Sequence, residues 1–396
     1  MEVIAGTIAS PKGFYADGIH CGLKKTKVDL GWIVSEVPAN AAAVFTTNQV
    51  QAAPIQVTKE KMASGQLQGV IVNAGNANAC TGAQGYEDAQ HMAIAAADTL
   101  GLAPDQIAVA STGIIGRQMP MAKVTTGISQ LKKAGDPQAF QKAILTTDLT
   151  EKSIVVQSQI GGQTVTMAGC AKGSGMIHPN MATMLAFVTT DAAISTELLQ
   201  KLLRELTEVT FNQITVDGDT STNDMVLVFA NGLAQPSEIQ ENTADYDLFK
   251  KMFHAVLTAL AKEIAQDGEG ATKLIEANTI GAVTDEAARM ISKTIVGSPL
   301  VKTALFGKDP NWGRILCAVG YSGQPIDPNA LTISLAGTVV FQSGKPVDFD
   351  EDMMQEALAQ SKVEIQVALA EGSGQGMAWG CDLTYDYVKI NALYHT

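Results

Sequence analysis

A threonine placed behind a small residue, where a conformationally free loop meets a buried strand, has the chemistry to cut its own chain. Thr183 occupies such a place in Lys172-Gly-Ser-Gly-Met-Ile-His-Pro-Asn-Met-Ala-Thr183, with glycines at 173 and 175 and a proline at 179. The apolar run Met184 to Val188 that follows reads as a buried strand. The Thr183 hydroxyl would attack the carbonyl of Ala182, shift the acyl group from N to O, and hydrolyse to free its own α-amine. The liberated residue then carries a nucleophile and a base on one carbon. A β-branched residue at a strand start is more commonly a matter of packing alone, so the position of Thr183 by itself does not decide between the two.

Of the five histidines, only His178 is near in sequence, and it lies on the far side of the cut. A free α-amine titrates at about 7.7–8.0 against about 10.4 for lysine, so at pH 7 roughly 15% of it is unprotonated against roughly 0.04% of a lysine. The terminal amine is the better base. A second chemical signal is Ser111-Thr112-Gly113, where a strand over Ile107–Ala110 is expected to break before a helix over Met121–Lys133. A break of that kind exposes backbone N–H groups that can hold an oxyanion, although a plain loop has the same pattern. Asp217, Asp219 and Asp224 crowd one polar loop without the spacing or terminal Glu of a calcium-binding loop, and read as turn chemistry. Gly372-Ser-Gly-Gln-Gly376 fits neither dinucleotide nor P-loop spacing.

These residues need a scaffold, and 396 residues exceed what one core usually supports. Apolar residues at 46% and charged ones at 17% indicate a globular chain. Short strands are expected at Val3–Ile8, Trp32–Val37, Ala42–Thr46 and Gly69–Val72, with a tight loop over Asn73–Gly82. A helix follows from Glu87 to Leu100, a short one from Pro137 to Leu145, then a hairpin of Ile154–Gln157 and Thr164–Ala168. Ser195 caps an amphipathic helix with Leu199, Leu202, Leu203 and Leu206 on one face. A strand over Met225–Ala230, a long helix from Asp245 to Ala265 and a helix from Asp285 to Val296 capped by Thr284 come next. A boundary is placed near Gly281, dividing a main unit of residues 1–280 from a smaller strand-rich unit of 281–396. Its strands are Leu331–Leu335, Val339–Gln342, Val363–Ala368 and Thr384–Ile390, with a helix over Glu351–Ser361.

The opening Met1-Glu2-Val3 lacks a basic leader and no apolar run reaches spanning length, which argues for a cytoplasmic chain. The cysteines at 21, 80, 170, 317 and 381 form no C-x-x-C pair and read as reduced thiols. A net charge of −13 disfavours nucleic acid and anionic membranes as partners. A carboxylate substrate would therefore need a local cation, because screening limits such fields to about 8 Å.

The segment Lys172–Asp191 is joined by Val72-Asn-Ala-Gly-Asn-Ala-Asn-Ala-Cys-Thr-Gly82, Ser111-Thr-Gly-Ile-Ile-Gly-Arg117, Thr215-Val-Asp-Gly-Asp-Thr-Ser-Thr-Asn-Asp224 and Gly307-Lys-Asp-Pro-Asn-Trp-Gly-Arg314. In that order and over essentially the whole chain, these five blocks resemble the ornithine acetyltransferase (ArgJ) family of the cyclic arginine pathway. The resemblance implies an α/β (α+β) fold of the DmpA/ArgJ kind, with mixed sheets and helices. It implies self-cleavage between Ala182 and Thr183 into an α piece, 1–182, and a β piece, 183–396, assembled as an α2β2 heterotetramer. The reaction implied is ping-pong transfer: Thr183 takes acetyl from N2-acetyl-L-ornithine as an ester and gives it to L-glutamate. The Thr112 hydroxyl and Gly113 N–H would form the oxyanion hole, and Thr147, Lys172, Thr183, Glu269, Asn391 and Thr396 would contact substrate. Thr146 adjoins Thr147 and leaves that one assignment shared between them. Asn391 and Thr396 would require the tail to fold back into the site. Neither metal nor cofactor is implied, though some members accept acetyl-CoA as a second acetyl donor, adding N-acetylglutamate synthase activity. Two other readings stand beside this one: an amidase or aminopeptidase in which water replaces glutamate, and an uncleaved metabolite-binding protein.

Overall fold

The computed structural model describes residues 1–178, 184–234 and 237–393. In chain order, β1 (Glu2–Ile4), β2 (Phe14–Ile19), β3 (Leu30–Phe45), β4 (Gln66–Asn76), β5 (Ile107–Ile114), β6 (Lys152–Ile160), β7 (Gln163–Lys172) and β8 (Leu185–Thr190) come before β9 (Ile214–Thr215) and β10 (Met225–Ala230). Among the described residues all of them except β9 join a nine-stranded mixed sheet, ordered β1-β6-β7-β8-β10-β3-β4-β5 with β2 also on β3. Its middle is the parallel pair β8 and β10, with Leu185 opposite Met225. Both strands are buried along their whole length because both faces of the sheet are covered. Leu185, Phe187, Met225, Leu227 and Phe229 join one core, while Ala186, Val188, Val226 and Val228 join another.

The helices of this first part are α1 (Ala53–Lys61), α2 (Gly82–Leu100), α3 (Met121–Ile128), α4 (Pro137–Ala143), α5 (Thr196–Val209) and α6 (Ala244–Gln266). Ser195 caps α5 by accepting from the Leu198 N–H, and Thr243 caps α6 by accepting from the Tyr246 N–H. The apolar stripes of α5 and α6 share one core with the first sheet and with Leu274, Trp379 and Cys381 of a second. That second sheet takes in β9, β11 (Leu274–Ala282), β12 (Thr332–Leu335), β13 (Thr338–Gln342), β14 (Lys345–Pro346), β15 (Lys362–Ala368) and β16 (Gly374–Cys381). Its order is β14-β13-β12-β15-β11-β16-β9. The remaining helices are α7 (Asp285–Gly297), α8 (Pro299–Phe306), α9 (Trp312–Gly320), α10 (Glu351–Leu358) and α11 (Tyr385–Leu393).

The mixed α/β architecture agrees with expectation, and several elements do not. Trp32–Val37 and Ala42–Thr46 are parts of one strand, β3, whose pairing with β4 is irregular between Val34 and Ala39. The strand expected over Val3–Ile8 stops at Ile4, and α1, α8 and α9 were not expected. The glycine-rich stretch at 372–376 runs into strand β16, which begins at Gly374. Thr384–Ile390 is helical rather than extended: the Thr384 hydroxyl accepts from the N–H groups of Asp386 and Tyr387 and so starts α11. Gly281 falls within β11, a central strand of the second sheet, so that sheet begins before the boundary drawn there. Among the described residues no helix is long and apolar enough to cross a membrane.

Candidate active site

The ends of β5, β7, β8 and β10 meet around one cavity of about 100 Å³. Lys172, the last residue of β7, pairs with Leu185, the first of β8. Met184 is fixed at the same place, because the Met225 N–H donates to its carbonyl at 2.8 Å. The wall includes Thr112, Gly113, Thr146, Thr147, Lys172, Glu269 and Asn391, with Met184 and Leu185 beside them. Six of the residues singled out from sequence therefore share one space. Ala182, Thr183 and Thr396 lie outside the described residues.

Thr112 and Gly113 do not terminate their strand, as expected, but sit inside β5 where its pairing with β4 becomes irregular at Gly75 and Asn76. Gly113 has φ +131°, and a Cβ there would stand 2.4 Å from the Gly75 carbonyl carbon, so only glycine fits. The stretch expected as a loop over Asn73–Gly82 is still strand β4 as far as Asn76, and this Asn-rich strand end holds the corner. The Asn73 side chain donates to the Asn76 carbonyl at 2.9 Å and accepts from the Ser111 hydroxyl at 2.6 Å. Asn223 donates from its amide to the carbonyls of Ala77 and Ser111, at 2.6 and 2.8 Å. The buried Lys172 ammonium donates to the Thr112 hydroxyl at 3.1 Å. A cation thus stands beside the oxyanion candidate, despite the acidic surface.

Glu269 reaches the cavity from the loop after α6, with only 8% of it exposed. It accepts from the Asn391 amide at 2.8 Å, so α11 carries the tail back into the site. Gly175 makes room for it, since a Cβ there would meet the Glu269 carboxylate at 2.4 Å. Asp217 accepts from the N–H groups of Met176 and Ile177, at 2.7 and 2.9 Å, and pins the glycine loop. His178 is engaged elsewhere, with Nδ1 3.0 Å from the Thr215 hydroxyl. Burial and the nearby Lys293 lower its pKa to about 4. Among the described residues no cluster of three His, Cys, Asp or Glu side chains would hold a metal ion.

Thr146 is positioned by a buried ion network that sequence reasoning did not find. Asp148 accepts from Lys152 Nζ at 2.8 Å and from the backbone N–H groups of Thr146 and Gly173, at 2.9 and 2.7 Å. Lys152 also pairs with Asp267 at 2.6 Å. Burial pushes the Asp148 carboxyl upward, but Lys152 and Lys172 outweigh it and bring its pKa down to about 2. A carboxyl that titrates lower when folded stabilises the fold above its unfolded value near 3.8 and loses that contribution as pH falls toward 2. Asp148→Asn is expected to cost about 2 kcal/mol at neutral pH. Urea unfolding should show the deficit at pH 7 and a smaller one at pH 3.

Fold and site together define an α/β protein whose cavity at the strand ends brings together Thr112, Lys172 and Glu269. Over residues 15–396 the chain matches the ArgJ family, and it belongs to that family. The arginine biosynthesis bifunctional protein ArgJ of Listeria monocytogenes serotype 4b is 58% identical over 398 residues, covering 100% of both chains. That of Staphylococcus epidermidis is 56% identical over 397 residues, again covering 100% of both. A crystal structure of the Bacillus halodurans arginine biosynthesis bifunctional protein ArgJ shares 51% identity with a TM-score of 0.53, covering 54% of this chain and 100% of that one.

Proposed function

We propose that this chain is a self-processing acetyltransferase that moves acetyl from N2-acetyl-L-ornithine to L-glutamate in arginine biosynthesis. The observation that carries the reading is the meeting of Thr112, Gly113, Thr147, Lys172, Glu269 and Asn391 in one cavity, with Met184 in its wall. Met184 is the residue directly after Thr183, so a hydroxyl and an amine released at 183 are tethered one peptide away from that wall. The proposed cut leaves pieces 1–182 and 183–396. In support, the crystallised Bacillus halodurans chain corresponds over its full length to 54% of this one, the share that residues 183–396 make up.

In the first half of the reaction the Thr183 hydroxyl gives its proton to the terminal amine and attacks the acetyl carbonyl. The oxyanion forms against the Thr112 hydroxyl and the Gly113 N–H. The amide nitrogen takes the proton and ornithine leaves. In the second half the amine of glutamate attacks the ester and Thr183 is restored. Lys172 serves as the cation for a substrate carboxylate, Glu269 partners an ammonium group, and Thr147, Thr183, Asn391 and Thr396 complete the contacts. The name bifunctional on the relatives supports acetyl-CoA as a second donor to glutamate. The pieces assemble as α2β2 in the cytoplasm.

Incubation with acetylornithine, with and without glutamate, tests the reading. Multiple-turnover ornithine release should require glutamate and yield N-acetylglutamate in equal amount. Sustained release indifferent to glutamate would make the enzyme an amidase instead.

A further inference from the structure

The loop before β10 brings a carboxyl to the cavity that has no task so far. Asp224 was read from sequence as turn chemistry, yet it lines the cavity and is only 4% exposed. Its Oδ2 is sealed from solvent and has no hydrogen-bond partner among the described residues. Buried acceptors without partners are few in native proteins, because each bears the full loss of its hydration.

The position of Asp224 is fixed from both sides. Its carbonyl accepts from the Thr46 N–H at 3.0 Å, and the next residue, Met225, holds the Met184 carbonyl. The preceding residue, Asn223, is clamped to Ala77 and Ser111, one residue before Thr112. Asp224 thus stands at the reacting end of the cavity, within the field of Lys172. Burial pushes its carboxyl well above the usual range, while Lys172 and hydrogen bonds from Ser221 pull it back, and Oδ2 is the oxygen left without a partner among the described residues.

An amide donor entering this space has two polar ends. Its C=O meets Thr112 and Gly113, and its N–H, stripped of water, needs an acceptor of its own. The Asn223 side-chain oxygen already accepts from the Thr222 hydroxyl at 2.7 Å, and Glu269 Oε2 from Asn391. Asp224 Oδ2 is uncommitted. We propose that Asp224 is a substrate-contacting residue whose Oδ2 accepts the amide N–H of the acetyl donor and then an N–H of the attacking amine. The inference rests on the acetyl-transfer reading and deepens it. The contact makes and breaks no covalent bond. Neutral or ionised, a carboxyl keeps an accepting oxygen, and in the second half an N–H held there leaves the amine lone pair free to face the acyl carbon.

The test compares donors with and without an N–H. In self-cleaved Asp224→Ala, kcat/KM with acetylornithine should fall about 10- to 100-fold, as for loss of a buried partner. Acetylation by p-nitrophenyl acetate, an ester with no N–H, should stay within about threefold of wild type on the same argument. Equal loss on both donors, or loss on neither, overturns the proposal. Should the variant stay uncut, wild-type enzyme with N2-methyl-N2-acetylornithine decides: an about tenfold or greater fall supports the contact, and an unchanged rate refutes it. Wild-type enzyme inert toward acetylornithine itself would instead sink the acetyl-transfer reading.

Discussion

Thr183→Ala is expected to migrate as one full-length band and to form no acetyl-enzyme. Wild type should give two pieces in equal amount, the second beginning Thr-Met-Leu-Ala-Phe. The substitution removes the hydroxyl that attacks the Ala182 carbonyl, and without the cut there is no free α-amine at 183. Nucleophile and base vanish together. For residues that act as a unit, such losses run on the order of 10⁴- to 10⁶-fold in kcat. Residue 183 precedes a rigid strand start: Leu185 is paired with Lys172 on one side and Met225 on the other. Edman sequencing and intact-mass measurement after exposure to acetylornithine check the prediction. Turnover by an uncut Thr183→Ala protein would remove the mechanism.

Thr112→Val is expected to lower kcat by about 10²- to 10³-fold, the usual result of deleting one oxyanion donor. KM for both substrates should move far less, because the hydroxyl bonds most strongly to charge that develops during the reaction. Valine keeps the branched shape within β5, so the strand should persist. Lys172 loses its acceptor at 3.1 Å, which adds a smaller effect on binding. Steady-state kinetics of each half-reaction measure this. A change confined to KM would make Thr112 a binding residue only.

The elements that were legible in the sequence were those with a single buried stripe and a polar cap. Ser195 and Thr284 cap α5 and α7 as expected, and the apolar run Met225–Ala230 is β10 to the residue. Elements without such a stripe were misread. α11 has no buried residue among its nine, so no buried stripe marks Tyr385–Leu393 as a helix. The glycines of β16 disguised a strand, although there they permit close approach, as where Gly374 lies against the Thr284 backbone. For the site, the grouping of Thr147, Lys172, Glu269 and Asn391 came from family likeness and not from local spacing. No pattern in Thr215–Asp224 distinguishes Asp217, a clamp on the glycine loop, from Asp224, a buried wall residue. Their difference lies in long-range packing, as does that of Asp148, which shares the Lys152 ammonium with Asp267, far along the chain.

The interleaving of strands in the first sheet has a consequence for what a severed chain would be. β8 and β10 belong to residues after 183, yet β7 flanks them on one side and β3 on the other, both from residues before 182. Neither fragment is a finished body that docks onto its mate. Produced alone, the 183–396 portion would present two apolar ribbons with open edges, a template for clumping rather than a soluble half-enzyme. Scission would relieve the polypeptide of one bond and leave its architecture indivisible.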